Sequence, residues 1–185
     1  MKKKEKITLK DKLMRLEKRM MDYPELREFY GGVSIQNILW AQEELKLIFP
    51  VSYRWFLLTF GVGNFGDFEI FGLMENDNGT IRQGMSAPDV IWMARQMLSK
   101  FGLPEEYIPI GGDGVGGYYC IKVSEKNYED AEMYFLYVDS ELPEFYYANR
   151  KMTDFFEQQI EANINPVETR VYESSSNLCS QKSIL

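Results

Sequence analysis

The chain predicts an α+β fold, one domain with a mainly antiparallel sheet flanked by helices. The order of its segments is the main reason. Amphipathic helical stretches come first, then short aromatic and β-branched stretches joined by polar turns, then a last helix. A doubly wound parallel sheet would alternate strand and helix throughout. The length of 185 residues suits one domain, since chains divide mostly above about 250 residues. A hydrophobic fraction of 45% supplies material for a core.

Each element follows from its pattern. Residues 8–21 carry Leu9, Leu13, Leu16 and Met20 at helical spacing with lysines and arginines between them. They predict an amphipathic helix docked on the core, ended by Tyr23-Pro24. Residues 29–33, with Gly31-Gly32, read as a link to Ser34, a good N-cap. The next helix has Ile35, Ile38, Leu39, Leu45 and Ile48 as its apolar face, with Gln42, Glu43, Glu44 and Lys46 in water. Phe49-Pro50 breaks it, and residues 51–60 form another helix with Tyr53, Phe56, Leu57 and Phe60 inward. Residues 61–66 read as a glycine-rich turn and 67–71 as a half-buried strand. Asn76-Asp77-Asn78-Gly79 is a loop or hairpin tip. Residues 88–101 return to helix on Val90, Ile91, Ala94, Met97, Leu98 and Phe101, with Pro88 near the start and Gly102 as the stop. Strands are expected at 107–110, 118–123, 133–138 and 144–148. A last helix over 153–162 turns Phe155, Phe156 and Ile160 inward. Three segments result: a basic helix over 1–22, an α+β domain over 23–164, and a polar, Ser-rich, flexible tail over 165–185.

Composition narrows the chemistry. With no histidine there is no Ser-His-Asp triad, no Cys-His dyad and no imidazole base. Cys120 and Cys179 are too far apart for a metal clamp. Cys120 reads as core and Cys179 as an exposed thiol. The basic start lacks a following apolar stretch, so no signal peptide is expected, and no apolar run reaches about 18 residues. A cytoplasmic protein that needs no membrane is the expectation. Charge is uneven: residues 1–20 hold nine Lys/Arg and three Asp/Glu, a net +6, and the rest holds twelve and twenty-five, a net −13. Such a body repels nucleic acid and attracts a basic protein.

Two familiar motifs fail on context. Residues 112–117 match G-x-G-x-x-G, but a strand and not a helix follows, so the dinucleotide geometry is missing. An EF-hand frame with Gly79 at its sixth position puts Met74 and Met85 where carboxylates belong. No metal and no cofactor is expected, and no catalytic residue is assigned. Two acidic clusters remain. One holds Asp67, Glu69, Glu75 and Asp77; the other, over 125–144, includes Glu129, Asp130, Glu132 and Glu141. They read either as solubilising charge or as a recognition face for a basic partner. Of Phe68, Tyr128, Tyr134 and Tyr146 beside them, several must be core and the others are candidate anchors.

The order of motifs resembles the SUKH superfamily. The series runs Phe49-Pro50, Tyr53, Phe56-Leu57; Gly61, Gly63-Asn64-Phe65-Gly66; Glu69-Ile70-Phe71-Gly72-Leu73; Ile108-Pro109-Ile110-Gly111, Asp113-Gly114, Gly116; and Tyr119-Cys120. It spans roughly residues 30–160. The chain departs from the pattern at Gly117, where members often carry Asp. The nearest likeness is to bacterial immunity proteins, which are small, cytoplasmic and non-catalytic. That likeness implies a protein that binds and neutralises a cognate toxin domain, often a nuclease, through an acidic surface. A regulatory or scaffold module with a cellular partner is the alternative; a histidine-free hydrolase is the third. Monomer and dimer remain equally open.

Overall fold

The computed structural model describes residues 7–82, 84, 88–138 and 144–166. In chain order the elements are α1 (Leu9–Met21), β1 (Arg27–Phe29), α2 (Ile35–Leu45), α3 (Val51–Thr59), β2 (Gly63–Phe65), β3 (Phe68–Ile70), α4 (Val90–Phe101), β4 (Tyr107–Gly112), β5 (Gly117–Lys122), β6 (Glu132–Tyr137), β7 (Glu144–Lys151) and α5 (Met152–Ile164). The seven strands form one sheet in the order β1 to β7, every neighbouring pair antiparallel. The fold is α+β, as the order of patterns predicts.

Helix ends explain where helices begin. The Thr8 hydroxyl and the Asp11 carboxylate make a capping box for α1. Ser34 caps α2 by accepting from the Asn37 amide, and Asp89 caps α4 through Trp92 N at 2.8 Å. At the start of α3, where Pro50 has no side-chain oxygen to offer, the backbone supplies acceptors instead. The carbonyls of Tyr128 and Glu129 accept from Val51 N and Ser52 N at 2.8 and 2.9 Å.

One face of the sheet packs on α3 and α5. Phe68 meets Tyr119, Phe155 and Phe156 edge-on, and Phe56 meets Phe156, with ring centroids 5.4–6.2 Å apart. Tyr53 is fully buried and spends its hydroxyl on the Phe71 carbonyl at 2.9 Å. Across β1–β2–β3–β4 the register sets Glu28, Asn64, Glu69 and Gly112 side by side. Opposed residues share a face, so this polar row lies opposite the packed one.

Four expectations need correction. Strand β1 ends at Phe29, where the link begins, and the turn at 61–66 contains β2; both are three-residue strands too short for a period of two to register. In α2, Ile38 and Ala41 are buried while Ile35, Leu39 and the following Ile48 are exposed. In α4, Met93 goes inward and Leu98 outward. Phe68 is core, not an anchor. Residues 112–117 are a hairpin connection, with Gly114 and Gly116 at φ 77° and 103°. Asp113 Oδ1 accepts from Val115 N and Gly117 N there. Gly117 has its own reason. A Cβ at that position would collide with the Phe135 ring and the Asp113 carboxylate, so a side chain there has no room.

Candidate functional site

The first acidic cluster comes together only in part. Three adjoining hollows, of about 200, 370 and 600 Å³, share one wall, Tyr30. Tyr30 is 68% exposed. It follows β1 directly, and Tyr30 N donates to the Val62 carbonyl at 3.0 Å, which anchors its backbone while the ring stays out. Glu28, Asn64 and Glu69 of the polar row line one hollow with Pro88. Glu75, Asp77 and Arg82 line another. Asp89, Gly72 and Met74 are among the walls of the third. Glu28, Tyr30 and Asn64 are not among the site residues the sequence suggests, although Asn64 belongs to the glycine-rich motif. Register brings β1 beside β2 and β3 and sets Glu28 and Asn64 next to Glu69.

These carboxylates differ in kind. Glu69 is half-buried on β3, with no hydrogen-bond or ion-pair partner for its carboxylate among the described residues, and burial pushes its pKa up. Glu75 is committed. It accepts from Ser34 N at 2.6 Å and from the Asn37 side chain, and the Ser34 backbone bond holds its pKa down. Asp77 is exposed at the hairpin tip closed by Asn76 N to Thr80 O at 2.8 Å. Asp67 lies apart, in the β2–β3 turn, where its amide donates to Asn163 of α5.

The second cluster lies where helices begin. Asp130 is largely buried; its two oxygens accept from Thr153 N at 3.2 Å and Thr153 Oγ1 at 2.6 Å, which caps α5. Burial raises its pKa against that bond. Glu132 pairs with Lys151 at 3.3 Å. Glu129 is exposed and lines a separate groove between α1 and α3. Glu141 lies outside the described residues, as does Cys179. Of the aromatics, Tyr128 and Tyr146 are exposed, and Tyr134 is half-buried between Tyr107 and Tyr147.

Among the described residues no carboxylate is fully buried, and no three acidic or cysteine side chains converge as metal ligands would. Cys120 is buried, and burial pushes its thiol far up, away from the reactive thiolate. Among the described residues no helix is long and apolar enough to cross a membrane.

A meandering antiparallel sheet on helices, with hollows around one exposed tyrosine lined by carboxylates and by Arg82, defines an α+β protein. Comparison with known families makes this specific. The chain matches the SUKH_5 family, described as SMI1-KNR4 cell-wall, over residues 13–161, and it belongs to the SUKH superfamily. That family is of the toxin-immunity type, and its domains are generally non-catalytic immunity or regulatory modules. The match takes in most of α1 and most of α5. A search of the curated proteins finds no match.

Proposed function

We propose that this protein binds and neutralises a cognate toxin domain, of the nuclease kind, and that the hollows around Tyr30 are the contact surface. Membership of a toxin-immunity-type family supports the first half. Tyr30 carries the second: it is the wall common to three hollows whose other walls include Glu28, Glu69, Glu75 and Asp77. A nuclease is cationic where it holds phosphate. A concave carboxylate rim attracts such a surface and speeds encounter. An exposed tyrosine beside it has the large, rigid apolar body that anchors interfaces. Glu69, half-buried and unpaired, gains most from an incoming cation. Neutralisation of this kind is occupancy, with no bond made or broken by the inhibitor. Asp67 and Glu129 are secondary candidates, Glu141 a further one, and Asp130 and Glu132 serve mainly at their helix and strand ends. No cofactor, metal or nucleic acid takes part, and the encounter belongs in the cytoplasm.

The test is co-expression with the toxin domain encoded beside it. The pair co-purifies and toxicity disappears. Tyr30→Ala combined with Glu69→Lys weakens the complex at least about thirtyfold. A pair that neither associates nor loses toxicity overturns the proposal. The family's cell-wall description favours one second reading, a regulatory or scaffold module using the same surface for a cellular protein. A resident partner captured through Tyr30, with no toxin gene alongside, would favour that reading.

A further inference from the structure

Helix α1 has three faces, and two are occupied. Leu13, Leu16 and Met20 enter the core. Lys12 and Arg19 pair with Asp154 and Glu161 of α5, and Arg15 lies 3.9 Å from Glu157. The third face points to solvent. Lys10, Met14, Glu17 and Met21 recur at i, i+4, i+7 and i+11, the spacing of one helical stripe. Met14 is 59% exposed and Met21 50% exposed, with Met21 Sδ accepting from the Arg27 guanidinium. Ile7, just ahead of the Thr8 cap, is 51% exposed and extends the seven-residue spacing of the apolar positions. Lys10 and Glu17 make no ion pair among the described residues, unlike their neighbours on the α5 side. Alongside runs a largely apolar groove of about 590 Å³, walled by Leu13, Met14, Val51 and Trp55, with Lys10, Glu17 and Glu129 at its rim.

The stripe is complementary to itself in one direction only. Set two copies of α1 antiparallel with Met14 facing Met14, and Ile7 falls opposite Met21 while Lys10 falls opposite Glu17, at both ends. Apolar meets apolar and cation meets anion. A parallel pairing sets Lys10 against Lys10 and Glu17 against Glu17, which repel. From this pattern we infer that the outward face of α1 is a self-association surface, in which two copies pack α1 antiparallel about a two-fold axis at Met14. The contact is isologous and therefore closes as a dimer. The adjoining groove widens it, with Trp55 and Val51 receiving the partner's Met14. It shares no lining residue with the hollows around Tyr30, and it meets the proposed toxin contacts only at Glu129, a secondary candidate there.

Sedimentation velocity on the full chain, from low micromolar concentration upward, tests it. The mass rises from 21.7 kDa toward twice that value as concentration increases. Met14→Glu, which sets two carboxylates against each other across the axis, raises the dissociation constant at least about tenfold. Lys10→Glu alone and Glu17→Lys alone each weaken the dimer, and the two together restore it, because the pair is reversed and not removed. All three side chains are exposed, so thermal unfolding of the variants stays close to the parent. A mass of 21.7 kDa at every concentration overturns the inference. So does a dimer indifferent to Met14→Glu, or one the double reversal fails to restore.

Discussion

At the scale of the residue, what matters about a carboxylate here is what it faces. Glu75 and Asp130 both serve helix starts, yet their contributions to stability depend on pH with opposite sign. Bonds from Ser34 and Asn37 favour the charged form of Glu75 and lower its pKa. Its contribution is therefore full at neutral pH and is lost as pH falls through the carboxylate range. Asp130 is raised by burial, so its charged form is the less comfortable one, and its contribution is full at low pH and declines as pH rises past the ordinary aspartate value. Chemical denaturation of Glu75→Gln across about pH 3 to 7 checks the first sign. The variant costs about 1 kcal/mol at neutral pH, and the deficit shrinks toward pH 3. Glu69 follows Asp130 in sign but has no compensating bond. Glu69→Gln accordingly raises stability at pH 7 by roughly a few tenths of a kcal/mol. If Glu69 is a partner contact, the same variant weakens binding, and the two measurements should move in opposite directions. Gly72 is a different kind of residue. A Cβ there would strike the Gly61 carbonyl, where Leu73 N also donates at 3.1 Å. Backbone cannot step aside cheaply, so Gly72→Ala loses about 2 kcal/mol or more in thermal unfolding.

At the scale of the element, α1 separates charge from burial. Its cross-links to α5 keep a constant offset, Lys12 to Asp154, Arg15 to Glu157 and Arg19 to Glu161, so the two helices run parallel and in step. All these pairs reach solvent, and exposed pairs contribute only about 0.5 kcal/mol each. Leu16 and Met20 lie in the core and bind the helix harder. Leu16→Ala is expected to cost about 3 kcal/mol, whereas Arg15→Ala and Arg19→Ala each cost about 0.5 kcal/mol and less in high salt. Equal losses in a melting comparison would mean that the ion pairs, not burial, dock α1. The expected helical stripe was legible because Leu13, Leu16 and Met20 recur at helical spacing. What the charges between them touch was not, since α5 lies more than 140 positions along the chain.

At the scale of the whole molecule, the uneven charge acquires a location. Part of the +6 leader is spent against α5, and part of the −13 body against it. The net charge of −7 that a partner meets is therefore presented mostly by carboxylates away from α1, those around Tyr30 included. If the partner is the cationic toxin proposed above, long-range attraction predicts an association rate that falls steeply with ionic strength. Glu28→Lys and Glu69→Lys should slow association several-fold at low salt and little at high salt. Glu129→Lys is the cleaner probe of the second cluster, because reversing Asp130 also breaks the cap of α5.

By itself the amino-acid sequence determined the succession of elements, the major core positions on α3 and α5, the absence of imidazole chemistry and, through its ordered motifs, the family. These are local properties: periodicity, caps and glycine spacing act within a turn or two of chain. Only the tertiary structure decided which carboxylates are free and which are committed. It brought Glu28 beside Asn64 and Glu69, left Tyr30 outside, and set Asp130 under α5. Strand register and helix docking set those neighbours, across separations of up to several dozen residues. A charge has no function until its surroundings are known, and no local pattern specifies them.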